Sequence, residues 1–270
     1  MYYPIQIPYL LSADFAKYIA YSETVVPTLQ DFSIYAFEAY SRTASPSNLA
    51  QIILTQGTID LGFDLVNKWI GYGGLSQTDY QFMWEFPFRN FGVRLKPGAF
   101  HQLTGIDASS MMDQFLPLSE VDGNFDEAAF FALSYEEAKV FLIDYVRQLT
   151  RDHTPNRYTL LFDELAEQPP KSTSELYQLL GYSSRQCQRI FAKHYGITPK
   201  MVLTVLRFQK CLRLLTTTDT TASDVIESLN YYDQAHFNQD FKRHIGLTPR
   251  ALIELFKGKS INDPNAEKKF

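Results

Sequence analysis

The chain has 270 residues, enough for one large domain or two ordinary ones, and its 45% hydrophobic and 20% charged residues are those of a folded globular protein. The start of the chain lacks a basic stretch followed by an apolar run, and no apolar run approaches membrane-spanning length. Two cysteines, Cys187 and Cys211, are too few for a disulfide framework and are not spaced as metal ligands. The expectation is a cytoplasmic protein, neither exported nor membrane-spanning, with both cysteines as packing residues.

The net charge of -5 conceals an asymmetry. Residues 1–150 carry 8 Lys+Arg against 17 Asp+Glu, a balance of -9, while residues 181–257 carry 11 against 6, a balance of +5. Aromatic residues are unevenly shared as well, 27 of the 40 falling in the first 150 positions. An acidic, aromatic half and a basic half share the chain, and only the second has the electrostatic character of a nucleic-acid partner.

From about Tyr18 to Leu95, short apolar runs alternate with turn residues: YIAYS, SIYAFEAY, AQIILT, TIDLGFDLV, KWIGYG, YQFMWEF and FGVRL. Such runs read as strands, with Gly71, Gly73, Gly74 and Pro97-Gly98 supplying turns. An antiparallel barrel or sandwich accounts for them. After Pro97 the periodicity becomes helical. A short helix is expected over Ala99 to Leu103, another from Asp107 as N-cap, and a longer one in SYEEAKVFLIDYVRQL. There Ser134 and Glu137 form a capping box, and Ala138, Phe141, Leu142 and Tyr145 share one face. That helix closes the first domain or packs two copies together. A polar stretch, RDHTPN, leads into NRYTLLFDELAEQ, which Pro169-Pro170 ends. The fold class is therefore α+β: a β-rich domain over 1–151, an all-α domain over 152–257 and a disordered tail over 258–270.

The all-α part contains a repeat at an offset of 50 residues: CQRIFAKHYGITPK from Cys187 and FNQDFKRHIGLTPR from Phe237. Phe191 matches Phe241, His194 matches His244, Gly196 matches Gly246, Thr198-Pro199 matches Thr248-Pro249, and Lys200 matches Arg250. Each copy follows a short helix and a turn, SELYQLL before Gly181 and SDVIESL before Asn230. Gly and Asn tolerate the left-handed conformation such a turn requires, and Ser183 and Asp233 suit the caps that follow. This is the helix-turn-helix layout, twice. A long helix beginning at Pro199 joins the units and spans about 25 Å at 1.5 Å per residue. Successive major grooves repeat at roughly 34 Å, so the two second helices fit adjacent grooves once their own width is added.

Residues from about 155 to 256 resemble the DNA-binding domain of the AraC/XylS family of bacterial transcription regulators. GYSSRQCQRIFAKHYGITP, RFQKCLRLL and NYYDQAHFNQDFKRHIGLTP carry the resemblance, with Ala235-His236-Phe237 in the place of the family's Ser-His-Phe. The sequence departs at Tyr177 and Ile226, where the family has Ala, and at Asn230 in place of Gly. The resemblance implies promoter DNA as partner, contact with RNA polymerase, a dimer and an effector-binding or dimerising first domain.

In the first recognition helix Cys187, Ile190 and Phe191 form an apolar stripe, whereas Arg185, Gln188 and Arg189 fall on another face. Arg suits guanine O6 and N7, and Gln suits adenine N6 and N7. The second helix offers Gln234, Ala235, Asn238 and Gln239 to bases, amides in place of guanidiniums, so the first unit is expected to dominate. Phosphate contacts are assigned to Ser184, Lys193, His236, Lys242 and Arg243, while Arg207 and Arg213 suit either phosphate or an ion pair. The spacing alone also fits a solvated surface. In the first domain Phe63, Trp69, Tyr72, Trp84, Phe86 and Phe88 are candidate walls of an effector pocket or ordinary core residues. Arg89, Arg94 and His101 are candidates for fixing an anionic ligand, although Arg94 is equally explained by an acidic neighbour. A ligand-independent regulator with an interaction module as first domain is the alternative. Phosphate-loop, nucleophile-elbow and His-x-x-x-His metal motifs are absent, so no enzyme activity, cofactor or metal is expected.

Overall fold

The computed structural model describes residues 1–5, 13–42, 48–76, 80–217, 225, 234–245 and 248–256. Every one of the seven apolar runs forms a strand. Helix α1 (Ala13–Tyr18) leads into β1 (Ile19–Thr24), followed by β2 (Ser33–Ser41), β3 (Asn48–Ile53), β4 (Asp60–Asp64), β5 (Trp69–Gly73), β6 (Tyr80–Glu85) and β7 (Arg89–Leu95). A two-residue strand, β8 (Leu116–Pro117), completes a six-stranded antiparallel sheet in the order β1-β2-β7-β4-β5-β8, and β3 pairs with β6 separately. The N-terminal part is thus an antiparallel, sandwich-like arrangement of two sheets.

The strands alternate as the period of two requires. Leu61, Phe63, Ile70, Tyr72, Phe91 and Val93 are buried together in one large core, with Phe100, Phe130, Ala138, Leu142 and Val146 from the helices. Those helices are α2 (Ala99–Thr104), α3 (Leu118–Val121), α4 (Glu127–Phe131) and α5 (Tyr135–Thr150). Helix α5 opens with the capping box read from sequence: the Ser134 hydroxyl and the Glu137 carboxylate each satisfy a backbone N–H. The helix expected from Asp107 is instead a short 3-10 turn, Ala108–Met111, and Asp107 makes no side-chain cap.

The C-terminal part is helical: α6 (Arg157–Glu167), α7 (Thr173–Leu180), α8 (Ser184–Tyr195), α9 (Pro199–Thr217), α10 (Gln234–Ile245) and α11 (Pro249–Phe256). The core does not stop near residue 152. Leu161, Phe162, Leu176, Cys187, Phe191, Tyr195, Ile197 and Val202 belong to the same cluster as the sheet residues. Polar ties cross the same line. Gln102 of α2 accepts from the Asn156 N–H at 3.0 Å and the Thr159 hydroxyl at 2.8 Å, and Asp163 of α6 accepts from the Tyr2 N–H at 2.6 Å and pairs with Lys96 at 3.5 Å. The Gln209 amide on α9 bonds both backbone groups of Ile5, and the Arg213 guanidinium donates to the Tyr3 carbonyl at 2.8 Å.

The tightest contact lies at the end of α8. Gly196 takes the left-handed conformation, with φ of 72°, and its N–H closes the helix on the Ala192 carbonyl. A Cβ there would stand 2.2 Å from Leu75 Cδ2 and 2.6 Å from the Ala108 carbonyl oxygen. Gly181, which ends α7 with φ of 69°, has open space around it. The two glycines differ only in that contact. Gly181→Ala is expected to cost about 1 kcal/mol for the left-handed backbone alone. Gly196→Ala is expected to cost about 2–4 kcal/mol, because backbone must also move. Urea unfolding of both variants measures the difference, and equal losses would show that the α8 contact is not close.

Candidate functional site

Two places combine exposed or unusual chemistry. The first is α8. Its entry is fixed by a capping box, the Ser183 hydroxyl and Gln186 amide each meeting the other's backbone N–H. Cys187, Phe191 and Tyr195 form a fully buried stripe, with Ile190 partly buried beside it. Arg185, Gln188, Arg189 and Lys193 are exposed, as is Ser184 in the first turn. None of these three cations makes an ion pair among the described residues.

The far end of α8 is anchored. The Tyr195 hydroxyl donates to the Tyr158 carbonyl at 2.7 Å, and its ring meets Phe162 and Phe191. The His194 ring stacks on Tyr158 at 4.0 Å and meets His101 of α2 edge-on at 4.7 Å. Burial, then the neighbouring His101 and Lys193, push the His194 imidazole down to about 4, against a smaller opposing pull from Asp107. Its Nδ1 is buried without a hydrogen-bond partner. The helix therefore presents its N-terminal half to solvent and locks its C-terminal half into the sheet's core.

On α10, Phe237 and Phe241 are buried, and Phe241 meets Phe208 of α9 at 5.7 Å. Gln234, Ala235, Gln239 and Lys242 are exposed and Asn238 is half-buried. His236 and Arg243 lie on the same helix. Ile226, Asn230, Asp233, Gly246 and the tail expected over 258–270 lie outside the described residues. Arg213, weighed as a phosphate contact or an ion-pair partner, donates to the Tyr3 carbonyl.

The second place is a cavity of about 500 Å³ on the sheet face opposite the main core. Tyr21, Phe37, Ala39, Asp60, Gly62, Trp69, Gly71, Gly73, Asn90 and Arg94 line it from the six-stranded sheet, and Leu54 and Trp84 from the β3–β6 side. Of the residues expected to form a pocket, Trp69, Trp84 and Arg94 come together here. Phe63 and Tyr72 do not: they point to the other face, against Phe130 and Phe100 respectively. Phe86 and Phe88 pack on one another beside Trp84. Arg89 lies over the Tyr135 ring at 3.7 Å, near Glu38 and Glu136, and His101 faces α8. No anion-binding trio is assembled from Arg89, Arg94 and His101.

Gly71 and Gly73, expected to supply turns, lie inside β5, and of Gly71, Gly73 and Gly74 only Gly74 takes a positive φ, 100°. Gly92, Gly62 and Gly71 stand in register across β7, β4 and β5. The Phe37 ring rests where a Gly92 side chain would be, the Leu116 carbonyl and the Phe115 ring rest where a Gly71 side chain would be, and Gly62 between them has the edge of Trp69 3.8 Å from where its Cβ would stand. Each glycine falls at the same parity as Trp69 and Arg94, and that parity was the available signal.

Helices α7 and α8, joined at a left-handed glycine and followed by a basic exposed face, define a helix-turn-helix unit. Residues 176–254 match the family described as "Helix-turn-helix domain". The chain is 28% identical over 83 residues to an uncharacterized HTH-type transcriptional regulator, YidL, of Escherichia coli, and 30% identical over 92 residues to the transcriptional activator RhaS of an Enterobacter species. These matches cover 31% and 34% of this chain and 28% and 32% of the relatives, so the chain spans about a third of the length of the curated relatives it matches. The C-terminal part is an AraC-type helix-turn-helix domain, as the resemblance implied. Among solved structures, ToxT of Vibrio cholerae with a bound unsaturated fatty acid is 10% identical, covering 82% of this chain and 100% of that one at a TM-score of 0.40. The C-terminal domain of AraT from Geobacillus stearothermophilus is 19% identical, covering 40% and 88% at 0.32. Likeness of that degree carries no conclusion about this chain's ligand.

The His194 environment sets a pH dependence. A folded-state value near 4 against the ordinary 6.5 means that the unfolded chain takes up a proton first as pH falls. The contribution is whole above about pH 6.5 and is lost progressively down to about pH 4. Thermal unfolding between pH 7 and pH 5 is expected to fall more steeply for the native chain than for His194→Gln. Parallel curves would show that His194 is protonated alike in both states.

Proposed function

We propose that the protein is a sequence-specific DNA-binding transcription regulator whose two recognition helices, α8 and α10, enter successive major grooves. What carries the reading is the free end of α8, where Arg185, Gln188 and Arg189 stand exposed and unpaired while the opposite stripe is locked in the core. Recognition helices contact base edges through their N-terminal residues, and this is the end left open. Arg185 and Arg189 are assigned to guanine and Gln188 to adenine, with Ser184 and Lys193 on phosphate. On α10, Gln234, Ala235, Asn238 and Gln239 are assigned to bases, and His236, Lys242 and Arg243 to phosphate. Residues 1–151 then serve as the sensing part and 152–257 as the reading part, and the cavity favours a small-molecule effector over a ligand-independent interaction module.

Selection from random duplexes gives the site on which variants are compared. Arg189→Ala is expected to lose about 1–3 kcal/mol of specific affinity while binding random DNA almost as before. Gln239→Ala is expected to lose less. Lys193→Ala is expected to weaken both kinds of binding and to lower the salt slope by about one. Failure to select any sequence, or an Arg189→Ala loss shared equally by random DNA, would overturn base reading by α8. Equal specific losses for Arg189→Ala and Gln239→Ala would remove the dominance of the first unit.

A further inference from the structure

The charge balance of the cavity limits what it can hold. Arg94 is its only described cation, and Asp60, directly opposite in the β4–β7 register, takes it in a two-pronged pair at 2.8 and 2.7 Å. The guanidinium also donates to the Gln56 side-chain oxygen at 2.8 Å and to the Tyr35 hydroxyl. Burial works against the charge, but the Asp60 carboxylate, Tyr35 and Tyr21 together outweigh it and hold Arg94 well above its ordinary value. The cation is permanent and already neutralised. An anion entering here would leave water without gaining a free positive partner, which is costly in an apolar surround.

The shape is equally specific. The glycine row removes side chains from the floor, and Phe37, Phe115, Trp69 and Trp84 supply aromatic surface around it. A flat ring system lies against such surfaces with little strain and gains stacking contacts. Two amides in the wall add polar capacity. Arg94 fixes the oxygen end of Gln56, so its buried Nε2 is a donor with no partner, and the Oδ1 of Asn90 is a buried acceptor with none. Buried polar atoms without partners are uncommon in folded proteins. Both atoms are buried in the cavity wall, and a small side-chain turn would bring each to a ligand hydroxyl, carbonyl or N–H.

We infer that the cavity binds an uncharged, flat, mostly aromatic small molecule and discriminates against anions of the same skeleton. The inference rests on reading the cavity as the effector site, and it names the effector's chemical class. N-phenyl-1-naphthylamine and 8-anilinonaphthalene-1-sulfonate share one skeleton and differ by a sulfonate, and both report binding by fluorescence. The full-length protein is expected to bind the neutral probe about tenfold or more tightly than the sulfonate. Gly73→Leu, placed where a Cβ makes only ordinary contacts, with Phe115 at 3.5 Å and the Gln114 carbonyl oxygen at 3.9 Å, is expected to abolish the signal in a protein whose thermal unfolding shows it folded. Asp60→Asn, which leaves Arg94 without its carboxylate, is expected to narrow or invert the preference.

Equal or tighter binding of the sulfonate at a Gly73-sensitive site would overturn the charge argument. Neutral-probe binding unchanged in folded Gly73→Leu, or absent from the native protein, would overturn the site. DNA affinity measured with and without the neutral probe separates this from the regulatory reading: binding without any change in DNA affinity leaves the ligand class standing and removes effector control.

Discussion

Everything in this molecule turns on the contact at Gly196. The C-terminal end of α8 reaches Leu75 and the Ala108 carbonyl because residue 196 has no Cβ and can turn left-handed there. That contact admits Ile197, Tyr195 and Phe191 to the core built on the sheet. It sets the direction of α8, and with it which end of the helix meets solvent. The base reading proposed for α8 requires a helix held rigidly, and its anchoring side chains pack on residues of the first half of the chain.

The six-stranded sheet is divided between two tasks. One face, through Leu61, Phe63, Tyr72 and Val93, is core for the helices, including those of the reading part. The other, through Gly62, Gly71, Gly73 and Arg94, borders the cavity. Only the strand backbone separates the two. Leu75 follows directly on Gly73-Gly74 of the cavity wall and is the residue against which Gly196 is seated. A ligand that shifted β5 would act on the α8 anchor through two residues of chain. Among the described residues, no carboxylate of the acidic half pairs with Arg185, Arg189 or Lys193 of α8.

Local signals were read well and distant ones were not. Short apolar runs bounded by turn residues identify all seven longer strands, and Ser134, Glu137 and Ser183 identify helix starts, because strands and caps are decided within a few residues; Asp107, which makes no cap, is the exception. The repeat identified the α7–α8 helix-turn-helix unit, while the first helix and turn of its second copy lie outside the described residues, and the burial of Cys187, Phe191, Phe237 and Phe241 follows the stripes it predicted. The cavity was legible only in part. Phe63 and Tyr72 were weighed as walls for being large, yet the walls are set by strand parity, and the space by glycines whose alignment requires the β7-β4-β5 order. The sequence does not decide between ligand and ion pair for Arg94, because its partner Asp60 is 34 residues away and becomes adjacent only through that register. His101 and His194 meet across two parts of the chain with no periodic signal linking them.

Sheet and helix α8 share one core, and native-state hydrogen exchange tests this most directly. The amides of Phe191, Tyr195 and Gly196 are predicted to exchange with the same opening free energy as those of Leu61 and Val93 in the sheet, responding alike to low denaturant. Exchange of the α8 amides through a smaller separate opening, while the sheet amides stay protected to global unfolding, would contradict it.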